Sequence, residues 1–179
     1  KLNKELFNYN VPILGICYGL QLLIESFGGT VKNLGTGEYG PSKIGVDTDS
    51  SLFSSISNTT KVWMSHGDRI DKIPNKWIVT SKSENGVISS VESNNDNIFG
   101  VQFHPEVIHT IEGKNIMKNF VFKICGLEGN WTSENFINEA INEIQNIVKD
   151  GKVLCALSGG VDSTVVSTIM KKAIGENAI

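Results

Sequence analysis

Three side chains could do covalent chemistry together: Cys17, His104 and Glu106. Cys17 lies in Gly15-Ile16-Cys17-Tyr18-Gly19, where the apolar run Ile13–Ile16 gives way to a helical pattern. That puts a thiol on a sharp strand-to-helix turn. Side chains two residues before and two after the thiol would collide in such a turn, so glycine is expected to be needed at both. The dipole of the following helix favours a thiolate. The backbone N–H of Tyr18 is expected to face the oxyanion formed on any carbonyl that Cys17 attacks. Taken alone, this pattern suits a buried structural cysteine equally well.

A thiol nucleophile works best beside a base that is itself held by a third group. Gly100-Val101-Gln102-Phe103-His104-Pro105-Glu106 offers both. Pro105 keeps His104 extended. His104 and Glu106 are two apart, so on an extended chain they share a side. Glu106 would then fix the imidazole tautomer and stabilise its cation. A lone His-Pro-Glu is more often a surface turn; its combination with the cysteine turn points to nucleophilic catalysis.

Gly15–Gln21 and Gly100–Glu106 resemble the two signature motifs of class I (triad) glutamine amidotransferases, and Ser65-His66-Gly67-Asp68 resembles that family's substrate-glutamine segment. The resemblance spans residues 11–125. It implies Cys17 as nucleophile, His104 as base and later acid, and Glu106 as orienter. It further implies that Gln21, Ser65, His66, Gly67 and Asp68 hold the amino-acid end of glutamine, with Tyr18 at the oxyanion. A loop histidine without chemical duty is the plainer account of His66. His109 and Cys125 carry no motif and read as structural. The family takes a second oxyanion donor from a Gly-rich loop well before the cysteine strand. No such loop precedes Val11, so these residues alone are expected to be a weak glutaminase, short by a factor on the order of 10²–10³.

A second Gly-rich turn, Ser158-Gly159-Gly160-Val161-Asp162-Ser163-Thr164, follows the apolar Val153–Leu157. Its glycines would let backbone N–H groups approach phosphate, with a helix N-terminus behind them. Ser158, Ser163 and Thr164 add hydroxyl donors. The Gly-Lys-Ser/Thr ending of a Walker A loop is missing, so transfer of a terminal phosphoryl group is not favoured. An ordinary Gly-rich turn is the alternative. The stretch resembles the pyrophosphate-binding loop of N-type ATP pyrophosphatases, which implies that residues 158–164 bind ATP while AMP passes to a substrate oxygen. ATP would bring its own Mg²⁺; Asp162 either helps to place that ion or caps the helix. No prosthetic group is expected, and Cys155 reads as core.

The union of the two patterns, in this order, resembles the glutamine-hydrolysing GMP synthetase family. Cys125-Gly126, Trp131-Thr132 and Glu38-Tyr39-Gly40 agree, although Gly37 stands where a charged residue is usual. The resemblance implies glutamine, ATP and XMP as substrates, a GMP product and a homodimeric parent. Two other readings are a triad glutaminase feeding ammonia to another ATP-dependent adenylating amidotransferase, and a degenerate glutamine sensor or scaffold. Intact Cys17, His104 and Glu106 count against the last.

The elements that must position these residues read as α/β. The expected fold is a class I glutamine amidotransferase, a flavodoxin-like mixed sheet with helices, plus the first strand, loop and helix of an adenine nucleotide α-hydrolase-like domain. Domains are expected at 1–126 (glutaminase), 127–150 (linker and first synthetase helix) and 151–179 (start of the ATP pyrophosphatase). After Ile13–Ile16, Leu20–Phe27 has helical spacing and stops at Gly28-Gly29. Strands are expected at Thr30–Lys32, Lys43–Asp47, Lys61–Met64, Trp77–Lys82, Gly86–Glu92 and Ile98–Phe103, with a turn at Asn94–Asn97. A helix through Ile116, Phe120 and Ile124 closes the first part. A second begins at a Thr132 or Ser133 cap, with an apolar face from Phe136 to Val148. A buried strand, Val153–Leu157, and a helix, Thr164–Ile174, end the pattern.

Net charge is −3 without a basic block, which speaks against nucleic acid or an anionic membrane as partner. No apolar run approaches the roughly 20 residues that span a bilayer. Three cysteines form no disulfide framework, so the cytoplasm is the expected compartment. Three histidines without a CxxC pair make a structural zinc site unexpected. The chain opens straight into a strand and stops at a helix end, the pattern of a fragment.

Overall fold

The computed structural model describes residues 2–33, 35, 37–93 and 97–179. Residues 94–96 of the turn expected at Asn94-Asn95-Asp96-Asn97 lie outside them. The chain forms two compact units, Lys1–Leu127 and Glu128–Ile179.

The first unit runs β1 (Ile13–Ile16), α1 (Tyr18–Ser26), β2 (Thr30–Lys32), β3 (Glu38–Val46), β4 (Thr59–His66), β5 (Arg69–Lys72), β6 (Trp77–Ser83), β7 (Ile88–Ser93), β8 (Ile98–Val101) and α2 (Gly113–Lys118). A π-helical turn, Asn119–Ile124, continues α2. Six strands form one sheet in the order β1-β8-β7-β6-β3-β4, and β2 pairs with β5 in a separate ribbon. Within the large sheet β1 and β8 are parallel and the other pairs antiparallel. This is a mixed α/β sheet with helices, as the fold class requires.

The core has two parts, and β8 feeds both because its side chains alternate. Ile98 packs with Leu20, Leu23 and Ile24 of α1. Phe99 and Val101 pack with Val62, Met64, Phe103 and Ile116. Burying each such aliphatic side chain stabilises the fold by about 1.5–3 kcal/mol. Gly15 and Gly100 are partners in the β1–β8 register. A Cβ on Gly100 would come within 2.3 Å of Leu20 Cδ1, so the glycine pair lets α1 lie close over these two strands.

Two elements differ from the sequence expectation in ways that shape the site. β3 starts at Glu38 rather than Lys43. Gly40-Pro41 reads as a breaker, yet Gly40 takes a positive φ of 91° and Pro41 lies where β3 pairs with β4 alone. An edge without ladder bonds tolerates a residue lacking N–H. β8 ends at Val101, not Phe103. Beyond it the Gln102 N–H bonds the Ser89 carbonyl at 2.8 Å and the His104 N–H bonds the Trp63 carbonyl of β4 at 3.0 Å, so the chain crosses toward β4. The ribbon strand β5 was not expected, since Arg69, Asp71 and Lys72 hide its pattern.

The second unit holds α3 (Ser133–Val148) and α4 (Val161–Ile174). Thr132 caps α3 by accepting from the Asn135 N–H at 3.1 Å. The expected apolar face exists but is thinly covered: no α3 residue is buried, and Phe136 is 51 % exposed. Val153–Leu157 is not the expected buried strand. It makes a single parallel bridge, Val153 with Ala178, and Leu154 is 81 % exposed. A strand needs ladder partners on its edges and cover on its faces; here 177–179 supplies one short edge only. Cys155 is accordingly half-buried rather than core. Among the described residues no helix is long and apolar enough to cross a membrane.

Candidate active site

Cys17 joins β1 to α1 at φ 51° and ψ −106°, a conformation rare for a residue with a side chain. Non-glycine residues held there mark functional turns. Its N–H bonds the Val101 carbonyl at 2.8 Å, which pins the turn to the end of β8. Gly15 is required: an added Cβ would meet the Gly19 carbonyl carbon and the Leu20 nitrogen at 2.8 Å. Gly19 is not required in this sense, because a Cβ there meets nothing within 4 Å. The expected two-sided collision is therefore one-sided.

The sulfur lies 3.7 Å from the Ser65 carbonyl and 3.7 Å from Gln102 Nε2. At rest the thiol thus donates to Ser65 rather than to the imidazole. Catalytic hydrogen bonds are often loose before substrate binds. Burial pushes the Cys17 thiol above its ordinary value; the Tyr18 and Gln102 N–H groups act against this, and the Glu106 charge acts with it.

His104 Nδ1 bonds Glu106 Oε1 at 2.7 Å. That leaves Nε2 as the nitrogen able to exchange a proton with a reacting group. The His104 backbone is closed into a ring of bonds with β4. Its N–H reaches the Trp63 carbonyl, the Thr110 hydroxyl donates to the His104 carbonyl at 2.6 Å, and the Trp63 N–H donates to that hydroxyl at 3.1 Å. Cys17 and His104 are thereby both tied to residues 63–65 of β4. Thr110 has no sequence signal of its own; only the fold brings it to His104. The ring of His109 stacks on Trp63 with centroids 4.5 Å apart.

The glutamine-segment residues divide. His66 is buried at the end of β4, with Nδ1 2.9 Å from the Asp68 carbonyl and Nε2 3.3 Å from Glu38 Oε2. Both nitrogens are engaged, so the plainer account of His66 fits this geometry. Glu38 also accepts from Ser83 at 2.7 Å and Asn85 at 2.9 Å. Gln21 Nε2 donates to the Asp68 carbonyl at 3.0 Å. Ser65 and Asp68 are exposed, and Tyr18 is 67 % exposed on the first turn of α1. Gly67 passes within 3.2 Å of the Tyr39 hydroxyl, measured from an added Cβ. At Gly37 a side chain would strike the His66 carbonyl at 2.2 Å, so this chain has no room for the charged residue usual there.

The second Gly-rich turn belongs to the other unit. Gly159 has φ 76°, Gly160 caps α4, and the helix starts at Val161 rather than Thr164. The hydroxyls of Ser163 and Thr164 donate to the Gly160 carbonyl at 3.0 and 2.9 Å, and Ser158 donates to Ser163 at 3.1 Å. They are turned inward rather than outward. Asp162 stands in the first helical turn. Among the described residues no cluster of His, Cys, Asp or Glu could hold a metal ion.

Residues 1–124 match the family described as glutamine amidotransferase class-I. The chain belongs to that family. Within this amidotransferase family its relatives include proteins named GMP synthase [glutamine-hydrolyzing], 47 % identical in Petrotoga mobilis and 46 % in Carboxydothermus hydrogenoformans. Each alignment covers 98 % of this chain and 35 % of the relative, so the chain spans about a third of their length. Among solved structures, a GMP synthase protein of Thermoplasma acidophilum superposes with a TM-score of 0.65 at 31 % identity, covering 76 % of this chain and 65 % of that one. A glutamine amidotransferase of Thermotoga maritima, at 21 % identity and TM-score 0.53 over 95 % of this chain and 65 % of that one, shares the fold.

Proposed function

We propose that this amidotransferase chain is the glutamine-hydrolysing part of a GMP synthase. The observation that carries the reading is Cys17, held at φ 51° on the β1–α1 turn, with the His104–Glu106 pair tied to the same stretch of β4. The Cys17 thiolate attacks the side-chain amide carbon of glutamine. The Tyr18 N–H takes the oxyanion, and Gln21 with the Ser65–Asp68 turn receives the amino-acid end. His104 protonates the leaving nitrogen, and ammonia departs. His104 then takes a proton from water, which cleaves the glutamyl thioester to glutamate.

The ammonia serves a second reaction. AMP passes from Mg²⁺–ATP to the O2 of XMP with loss of pyrophosphate, and ammonia displaces AMP to give GMP. The relatives' names and the Ser158–Thr164 turn support this reading. In it the turn cradles pyrophosphate through its backbone N–H groups and the α4 N-terminus. The division after Leu127 supports a glutaminase domain over 1–126, a linker and first helix over 127–150, and the start of an ATP pyrophosphatase over 151–179. Three free cysteines accord with a cytoplasmic site of action.

The test is GMP formation from XMP and MgATP by the full-length protein carrying Cys17→Ala. Activity is expected to vanish with glutamine and to persist with ammonium. Activity retained with glutamine would remove Cys17 from the chemistry. No GMP from either nitrogen source with the unaltered protein would mean that the acceptor is not XMP.

A further inference from the structure

Gln102 follows β8, is wholly buried, and takes no part in the bond-making steps of glutamine hydrolysis. A buried primary amide is costly unless both its ends are bonded. The order of its two ends follows from one fixed point. Asp68 offers a main-chain carbonyl, which only accepts. Gln21 must turn Nε2 toward it, at 3.0 Å, and the same Nε2 lies 3.3 Å from Gln102. The Gln102 atom at that contact is therefore the acceptor Oε1. Its Nε2 is left facing Cys17 Sγ at 3.7 Å. On its other side the sulfur meets the Ser65 carbonyl, also at 3.7 Å. One neighbour can bond only the thiol; the other donates to the sulfur and favours the thiolate.

We propose that Gln102 is a positioning residue that selects the thiolate of Cys17, held in its donating orientation by Gln21 and the Asp68 carbonyl. The proposal rests on the reading of Cys17 as nucleophile. His66 reinforces the fixed point, because Nδ1 lies 2.9 Å from the same carbonyl. The titratable groups on the surrounding elements are Tyr18 on α1, Glu38 on β3, His66 and Asp68 at and beyond the end of β4, and His104 and Glu106 beyond β8. Of these, the Glu106 charge acts against the thiolate.

The experiment follows the rate of alkylation by iodoacetamide at Cys17 against pH, read by peptide mass spectrometry on the full chain. Cys125 and Cys155 serve as internal references. Gln102→Leu removes the donor, and the Cys17 rate at pH 7 is expected to fall about tenfold, the worth of one charge-assisted hydrogen bond. The pH profile moves upward while the reference cysteines are unchanged. Gln102→Glu keeps an acceptor for Gln21 but sets a negative charge by the sulfur, and its rate falls further. A purely structural role would lower melting temperature without moving the profile. Profiles that overlay the wild type in both variants would overturn the proposal.

Should either variant fail to fold, the wild-type chain decides. The side-chain NH₂ resonances of Gln102 must shift with pH along the Cys17 alkylation curve, and must stay still in Cys17→Ala. Resonances that ignore Cys17 would overturn the proposal as well. If alkylated Cys17 leaves glutamine hydrolysis intact, the nucleophile reading fails and takes the proposal with it. If hydrolysis is lost but the Gln102 profiles are unmoved, only the proposal fails.

Discussion

Replacing His104 by Ala is expected to lower glutamine hydrolysis by about 10³–10⁴-fold, within the range for losing a general acid–base or triad member. The cause is local. Burial holds the Cys17 proton on sulfur, and the thiol rests on the Ser65 carbonyl. Without an imidazole no neighbouring group removes that proton, and the leaving nitrogen has no acid. The fold should not suffer, because the bonds that hold residue 104 to Trp63 and Thr110 use its main chain. Glutamate release and a melting curve check both halves. A loss under tenfold with an unchanged melt would contradict the assignment of the base.

The second large effect is structural. Gly15→Ala is expected to destabilise the chain by about 1–3 kcal/mol, the range for overpacking, and to depress hydrolysis with it. An added Cβ would lie 2.5 Å from Leu23 Cδ1 and 2.8 Å from main-chain atoms of Gly19 and Leu20. The leucine tip can rotate away; the main chain cannot, so the turn bearing Cys17 must open. Gly19→Ala is the matched control. Its Cβ enters open space on the first turn of α1, and it should be neutral or stabilising by up to about 1 kcal/mol. Urea denaturation of the two variants separates them, and equal effects would mean that the turn is looser than these distances require.

What could be seen in the sequence was what local rules encode. An apolar run, a glycine and a helical stripe gave β1, the turn and α1, while Pro105 between His104 and Glu106 gave the extended pair. What stayed hidden depends on main-chain atoms or on distant partners. The Asp68 carbonyl orders Gln21 and Gln102, but a carbonyl has no letter in a sequence. Thr110 reaches His104 only because β4 runs alongside. Gly40-Pro41 masked the first half of β3, since the breaker rule ignores that a strand edge needs no donor. Charged residues masked β5. In the second unit the error ran the other way: Val153–Leu157 has a strand's composition, but composition cannot supply a neighbouring strand.

Covalent capture with a diazoketone analogue of glutamine would decide whether Cys17 is the nucleophile. A thiolate displaces dinitrogen from such a reagent, with one proton taken up by carbon, and leaves a stable thioether. Peptide mass spectrometry should find one adduct, on Cys17, with Cys125 and Cys155 unmodified. Glutamine should slow its formation, and Cys17→Ala should abolish it. Labelling spread over the three cysteines, or labelling of Cys17 that glutamine does not slow, would contradict a glutamine-binding thiol at the β1–α1 turn.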